Sequence, residues 1–350
     1  MLTAFIMAGG SGERFWPLST KERPKQLLKL FSEKSMIRET VDRILPIIPA
    51  ERIFIGTNSI QENGIKEELP FIPEENIIIE PLFKDTAAAI GYGATIINER
   101  YPNSEMIVLA SDHLIKNEEN FRKRVLAGVE ASKKGDIITL GIKPTKPETG
   151  YGYIETEECY IGEPAQVIRF WEKPSYDRAE EYVEAGNYLW NSGMFIFKIK
   201  TILESIEQNM PNHWEILCKI KENIKKYGTN QLELFEKISE EFDKFEKISI
   251  DFGVMERARN IKVIPVDFGW NDIGSFPALD EVFEKNENGT VTKDANLVEV
   301  DSNDNIIISD KSDKKIAIIG IKDMIIVNTK DALLVCAKKD AQYIKKVLKK

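Results

Sequence analysis

Residues 4–28, "AFIMAGGSGERFWPLSTKERPKQLL", run from an apolar stretch into glycines, then an arginine, a Trp-Pro and a Pro-Lys-Gln. These residue types can hold a chain of phosphates. Gly9, Gly10 and Gly12 carry no side chains, so backbone N–H groups can approach phosphate oxygens. Arg14 can fork two such oxygens, and Lys25 can act as a point charge. Neither familiar phosphate loop fits. A dinucleotide-binding GxGxxG would need glycine where Phe15 stands, and a Walker A loop would need a GK[ST] that does not follow. Glycines alone would read as a tight turn; their company of Arg, Trp-Pro and Pro-Lys-Gln argues for a binding loop.

Other residues could join this chemistry. Asp112 follows the run "MIVLAS", and Asp272 follows "IKVIPV" in "GWNDIG". A hard cation such as Mg²⁺ takes one or two carboxylates together with phosphate oxygens. An Asp after a strand equally suits a helix cap or turn, and the residues alone leave both open. "FWEKP" offers Lys173 for a phosphate and Glu172 for sugar hydroxyls, or else an exposed pair before a proline turn. Asn191 in "WNSGMF" can pair with two hydroxyls or serve as a turn residue. Gly152 would let the backbone approach a sugar, and Glu80 ends "NIIIE" with a carboxylate able to accept two adjacent N–H donors.

The elements that must position these residues follow from hydrophobic patterning. "TAFIMA", "RIFIGT", "NIIIEP", "MIVLAS" and "IITLGI" are continuously apolar, as expected of strands buried on both faces. Helical stretches lie between them, and the first sets Met36, Ile37, Thr40, Val41, Ile44 and Leu45 on one face. This alternation predicts an α/β fold: a Rossmann-like, mixed, mostly parallel sheet. "YGYIE", "AQVIRFWEKP", "YLWNSGMFIFKI" and "IKVIPVDF" read as further strands, with helices over most of residues 200–260. After about residue 285 short β-rich runs separated by Asn, Asp, Gly and Lys turns replace this pattern. The expected division is a domain over 1–285 and a small β-rich domain over 286–350 that ends in a short helix.

Composition excludes several classes. The chain has 350 residues, 42% of them hydrophobic, enough for a sizeable core, and a net charge of −9 that argues against a nucleic-acid surface. The basic "IKKVLKK" at the end reads as a solvated helix face. Three scattered cysteines and two histidines give neither a disulfide framework nor a histidine metal site, which fits a reducing cytoplasm. There is no signal-peptide pattern and no apolar run near the roughly 20 residues that span a bilayer, so no membrane role is expected.

The opening loop "GGSGERFWPLSTKERPKQ" resembles the signature of the sugar-nucleotide pyrophosphorylases, in the form GGxGxRxWPxSxxxxPKQ of their mannose-1-phosphate guanylyltransferase branch. Relatives that use UTP or dTTP read GxGTRLxPxTxxxPK, so Trp16 and Gln26 favour the guanylyl branch. "EPLFKDTAAAI", "LASDH", "GYGYI", "FWEKP", "WNSGMF", "SIDFGVME" and "GWNDIGS" follow in the expected order. The resemblance implies transfer of GMP from GTP to mannose-1-phosphate, giving GDP-mannose and pyrophosphate. A sugar-phosphate oxygen would attack the α-phosphorus in line, without a catalytic base. It implies Arg14 and Lys25 as catalytic residues and Mg²⁺ on Asp112 and Asp272. Ala8, Gly9, Gly10, Gly12, Glu80 and Thr86 would bind the nucleotide, with Glu80 accepting from guanine N1–H and N2. Gly152, Glu172, Lys173 and Asn191 would bind the sugar phosphate. It further implies a left-handed β-helix-like terminal domain and a cytoplasmic homodimer; at this length no additional isomerase domain is expected. Lys84, Asp85 and Ala88 depart from the pattern EPxxRNTAPAI, and Ala110 stands where Pro is common. The alternatives are another sugar-1-phosphate (glucose or a heptose), another nucleotide, or a non-catalytic relative that senses nucleotide sugars.

Overall fold

The structure is a computed structural model that describes residues 1–228, 230–310 and 314–349. The chain packs as two compact units: Met1–Gly9, Thr40–Ser111 and Ile115–Trp270 form the first, and Gly10–Glu39, Asp112–Leu114 and Asn271–Lys350 the second. Division by packing is thus discontinuous in sequence, unlike the expected boundary at residue 285. The glycine loop and the segment at Asp112 fold with the C-terminal residues.

The first unit is built on nine strands: β1 (Leu2–Met7), β2 (Ile53–Thr57), β3 (Ile77–Ile79), β4 (Glu105–Ala110), β5 (Ile137–Ile142), β6 (Tyr153–Thr156), β7 (Ala165–Trp171), β8 (Tyr188–Lys198) and β9 (Ile261–Val266). Their order is β3-β2-β1-β4-β8-β5-β9-β7-β6, and all but β7 and β8 run the same way. The continuous apolar runs became β1 to β5, all inner strands except β3, which ends the sheet; Ala4, Phe5, Ile6, Ile53, Phe54 and Ile55 are wholly buried. Of the helices α1 (Met36–Ile44), α2 (Glu62–Glu68), α3 (Asp85–Arg100), α4 (Glu118–Ser132), α5 (Tyr176–Ala185), α6 (Ile199–Asn209), α7 (Pro211–Tyr227) and α8 (Gln231–Phe242), all but α2 and α5 fall where helical stretches are expected from the sequence; those two were not anticipated. The parallel strands β1, β2, β3 and β4 bring Gly9, Glu80 and Ser111 to the carboxyl edge, where open α/β sheets bind ligands.

The second unit carries β10 (Val291–Lys293), β11 (Asn296–Val300), β12 (Ile306–Ser309), β13 (Lys315–Ile319), β14 (Met324–Asn328) and β15 (Leu333–Ala337). They form a sheet β10-β12-β14-β15 and a parallel pair β11-β13. Parallel stacking puts Val291, Ile306 and Ile325 in one row and Ile308 beside Val327, an aliphatic ladder. That ladder shares a core with Phe15, Leu28, Leu30 and Met36 from the N-terminal segment and with Ile273, Phe276 and Ile344.

Candidate functional site

In the second unit the loop after β1 is fixed by its own side chains. Phe15, in place of a third glycine, is 1% exposed and packs on Phe276 with ring centroids 4.9 Å apart. Gln26 donates to the Gly10 carbonyl at 3.1 Å, and Ser19 donates to that of Gly12 at 2.7 Å. Gly12 is obligatory: its φ is +60°, and a Cβ there would lie 2.5 Å from the backbone nitrogen of Lys25. The glycine therefore lets the two ends of the signature touch.

This packing forms a cavity of about 380 Å³ whose lining includes Gly12, Arg14, Lys25, Asp112, His113 and Asp272. Lys25 Nζ donates to Asp112 Oδ2 at 2.8 Å and to the Asp272 carbonyl at 2.6 Å. Burial opposes the Asp112 charge, yet the charges of Lys25 and His113 hold its carboxyl below the ordinary carboxylate range. Asp272 Oδ1 accepts from the N–H of Gly274 at 3.1 Å. Between them Ile273 has φ +47°, a costly conformation for a β-branched residue. Among the described residues eight non-glycines have positive φ, and only Lys173 and Ile273 are neither Asn nor Asp. Both lie at sequence-identified site motifs, as expected where backbone strain is held in place for function.

The donor set suits a magnesium ion that shares phosphate oxygens. Two carboxylates, Asp112 and Asp272, line one cavity. Among the described residues no group of three or more His, Cys, Asp or Glu could hold a metal unaided. Mg²⁺ characteristically binds through one or two carboxylates and completes its shell with phosphate and water.

In the first unit Glu80 directly follows β3, 9% exposed, and burial pushes its carboxyl up to about 7. Its Oε1 would stand 3.8 Å from a Cβ on Gly9, so the carboxylate faces the end of β1. Ala8 continues the ladder: its N–H goes to Gly56 at 2.7 Å, and its carbonyl accepts from Thr57 at 3.2 Å. The Thr86 hydroxyl oxygen accepts from Ile250 N–H at 2.8 Å. Lys84 donates to the Asp243 carbonyl at 2.6 Å, and Asp85, at φ +69°, accepts from Thr86 N–H at 2.8 Å. The departures from the family pattern thus serve the fold here, and Ala88 is wholly buried in α3.

A second group in this unit joins Gly152, Glu172, Lys173 and Asn191. Lys173 Nζ lies 2.8 Å from Glu172 Oε1; the lysine side chain is 61% exposed and the glutamate 8%. Gly152 is needed, since a Cβ would lie 2.6 Å from Glu172 Oε2. The Asn191 amide is already engaged. Its Oδ1 accepts from Thr139 at 3.3 Å and from Gly193 N–H at 3.1 Å, and its Nδ2 donates to Asp251 Oδ1 at 2.9 Å. Asp251 belongs to "SIDFGVME", a motif whose aspartate carries no role by sequence alone. Burial, then repulsion from Glu172, raises its carboxyl to about 7. The residue opens a π-helical turn, Asp251–Met255, a distortion frequent at functional sites.

A phosphate-suited cavity and a Rossmann-like sheet with Glu80 at its ligand edge are features that suit a nucleotidyltransferase. The nucleotidyl transferase family model matches residues 3–289, and that of the MannoseP isomerase/GMP-like beta-helix domain matches residues 295–350. The mannose-1-phosphate guanylyltransferase of Klebsiella pneumoniae is 36% identical over 99% of this chain and 73% of its own length. That of Salmonella muenchen is 38% identical over 99% and 72%. The crystal structure of a protein from Thermus thermophilus called mannose-1-phosphate geranyltransferase superposes with a TM-score of 0.88 at 32% identity, over 99% of this chain and 98% of that one. The chain belongs to the mannose-1-phosphate guanylyltransferase family. Among the described residues no helix is long and apolar enough to cross a membrane.

Proposed function

We propose that this chain transfers GMP from GTP to mannose-1-phosphate and releases pyrophosphate. The observation that carries the reading is the cavity of the second unit, where Arg14 and Lys25 meet Asp112 and Asp272 on one wall. Family membership supports the choice of substrates.

The reaction joins two polyanions. Two unit charges 4 Å apart repel by about 4 kcal/mol at an effective dielectric of 20. Catalysis is then chiefly positioning and charge neutralisation. Arg14 and Lys25 bear the charge that grows on the departing pyrophosphate. The attacking sugar-phosphate oxygen is already an anion, so no side chain need remove a proton. Mg²⁺ held by Asp112 and Asp272 would neutralise phosphate charge. Lys173, mostly exposed, meets the phosphate of the sugar. Glu172 and Asp251 accept its hydroxyls, and Asn191 orients Asp251. Glu80 accepts the two adjacent N–H donors of guanine, a pair that adenine lacks.

The test is pyrophosphate release from GTP with magnesium, with and without mannose-1-phosphate. Release that depends on the sugar phosphate is expected; release indifferent to it would overturn the reading.

A further inference from the structure

The basic end of the chain does more than face solvent. The segment Lys338–Lys349 forms a 3₁₀ helix that turns Ala341 and Ile344, 3% and 2% exposed, into the core that also holds Phe15 and Phe276. Lys338 at its start pairs with Asp280. The helix is therefore seated on the same apolar residues that seat the glycine loop, and the next residue, Lys345, lines the cavity of Arg14, Lys25, Asp112 and Asp272.

We propose that Lys345 is a further substrate-binding residue, a cation from the β-rich terminal segment that holds the phosphates leaving as pyrophosphate. Charge balance in the cavity supports it. Lys25 is shared between Asp112 and the carbonyl of Asp272, and Glu13, Asp112 and Asp272 are three acidic wall residues. Arg14 and Lys25 alone do not outweigh them, and a nucleoside triphosphate adds several more negative charges. Arg14 and Lys345 are the wall cations with no hydrogen bond or ion pair among the described residues, so both are at liberty to meet an anion. The neighbouring Lys346 lies over the Tyr343 ring at 4.1 Å and is not part of the wall. On this reading the C-terminal segment completes the phosphate site.

The proposal rests on the nucleotidyltransferase reading for the identity of the anion, so its test uses pyrophosphate with Mg²⁺ as the probe, in equilibrium calorimetry on the full chain. Lys345→Met keeps the aliphatic stem and removes the charge. It should weaken binding about tenfold, the scale of one exposed charge-assisted hydrogen bond. Lys345→Arg should bind as the wild type does, and so should Lys346→Ala. In turnover, Lys345→Met should raise KM for GTP more than it lowers kcat, with an unchanged Tm. Wild-type affinity in Lys345→Met, or an equal loss in Lys346→Ala, overturns the proposal. Should Lys345→Met fold poorly, Lys345→Gln makes the same comparison. A wild-type chain that binds pyrophosphate yet makes no GDP-mannose would refute the proposed reaction while Lys345 remained under test.

Discussion

Replacing Glu80 by glutamine probes base recognition and folding together. Glu80 is 9% exposed, and burial raises its carboxyl from 4.5 to about 7. About 2.5 units at roughly 1.4 kcal/mol each means that ionised Glu80 costs the folded chain on the order of 3 kcal/mol. The sign follows from which state keeps the proton. Between pH 4.5 and about 7 the folded chain retains it and the unfolded chain does not. Stability is therefore fully present below 4.5 and lost as pH rises through about 7. Bound guanine would reverse the penalty, because its N1–H and N2 donors favour the charged form. The glutamine side chain of the Glu80→Gln variant would keep one acceptor but turn an N–H₂ toward a guanine donor. From pH 5 to pH 8 the wild type should lose about 2–3 kcal/mol of stability relative to Glu80→Gln in parallel urea unfolding. At pH 8 the variant's kcat/KM for GTP should fall about 100-fold, from a lost charged acceptor and an unmatched donor. ATP, whose edge offers a donor beside an acceptor, should be used no worse than by the wild type. A GTP kcat/KM close to that of the wild type would refute the assignment of Glu80 to the base, and parallel pH–stability curves would refute its buried titration.

Three further substitutions separate the phosphate and sugar groups. Arg14→Ala and Lys25→Ala should each lower kcat by about 10²–10³-fold. Arg14→Ala should leave Tm unchanged, whereas Lys25→Ala should lower it by stranding the Asp112 carboxylate; near-wild-type turnover in both would refute their roles. Asp251→Asn preserves the acceptor for Asn191 and removes a carboxyl that titrates at about 7. KM for mannose-1-phosphate should rise about tenfold with little change in kcat, and part of its pH dependence near neutrality should disappear. An unchanged KM and pH profile would place Asp251 outside the sugar site.

Most strands were legible because β1, β2, β4 and β5 are uninterrupted apolar runs, a pattern that parallel burial demands. The β-rich turns after residue 285 were equally plain, though β10 is only three residues long and escaped notice. The phosphate loop was readable from residue types and order, and Arg14, Lys25, Asp112 and Asp272 do line one cavity. Three features were not readable. The shared core of Phe15, Phe276 and Ile344 joins residues more than 300 positions apart and leaves no periodic trace. Lys345 looked like any lysine of a basic helix, because its placement depends on that core. The Asn191 amide looked available for hydroxyls, and only the structure shows Thr139, Gly193 and Asp251 already on it. The signal that could have found Asp251 was its motif, "SIDFGVME", present in sequence order with the others.

The central claim is the pairing of one nucleotide with one sugar phosphate. The most direct test is pyrophosphate release by the full chain over a panel of GTP, ATP, UTP, dTTP and CTP against mannose-, glucose- and heptose-1-phosphates, with magnesium and with chelator. The account predicts that GTP with mannose-1-phosphate gives the highest kcat/KM and that chelator abolishes release. A higher kcat/KM for another pair, or release that persists without a divalent ion, would contradict it.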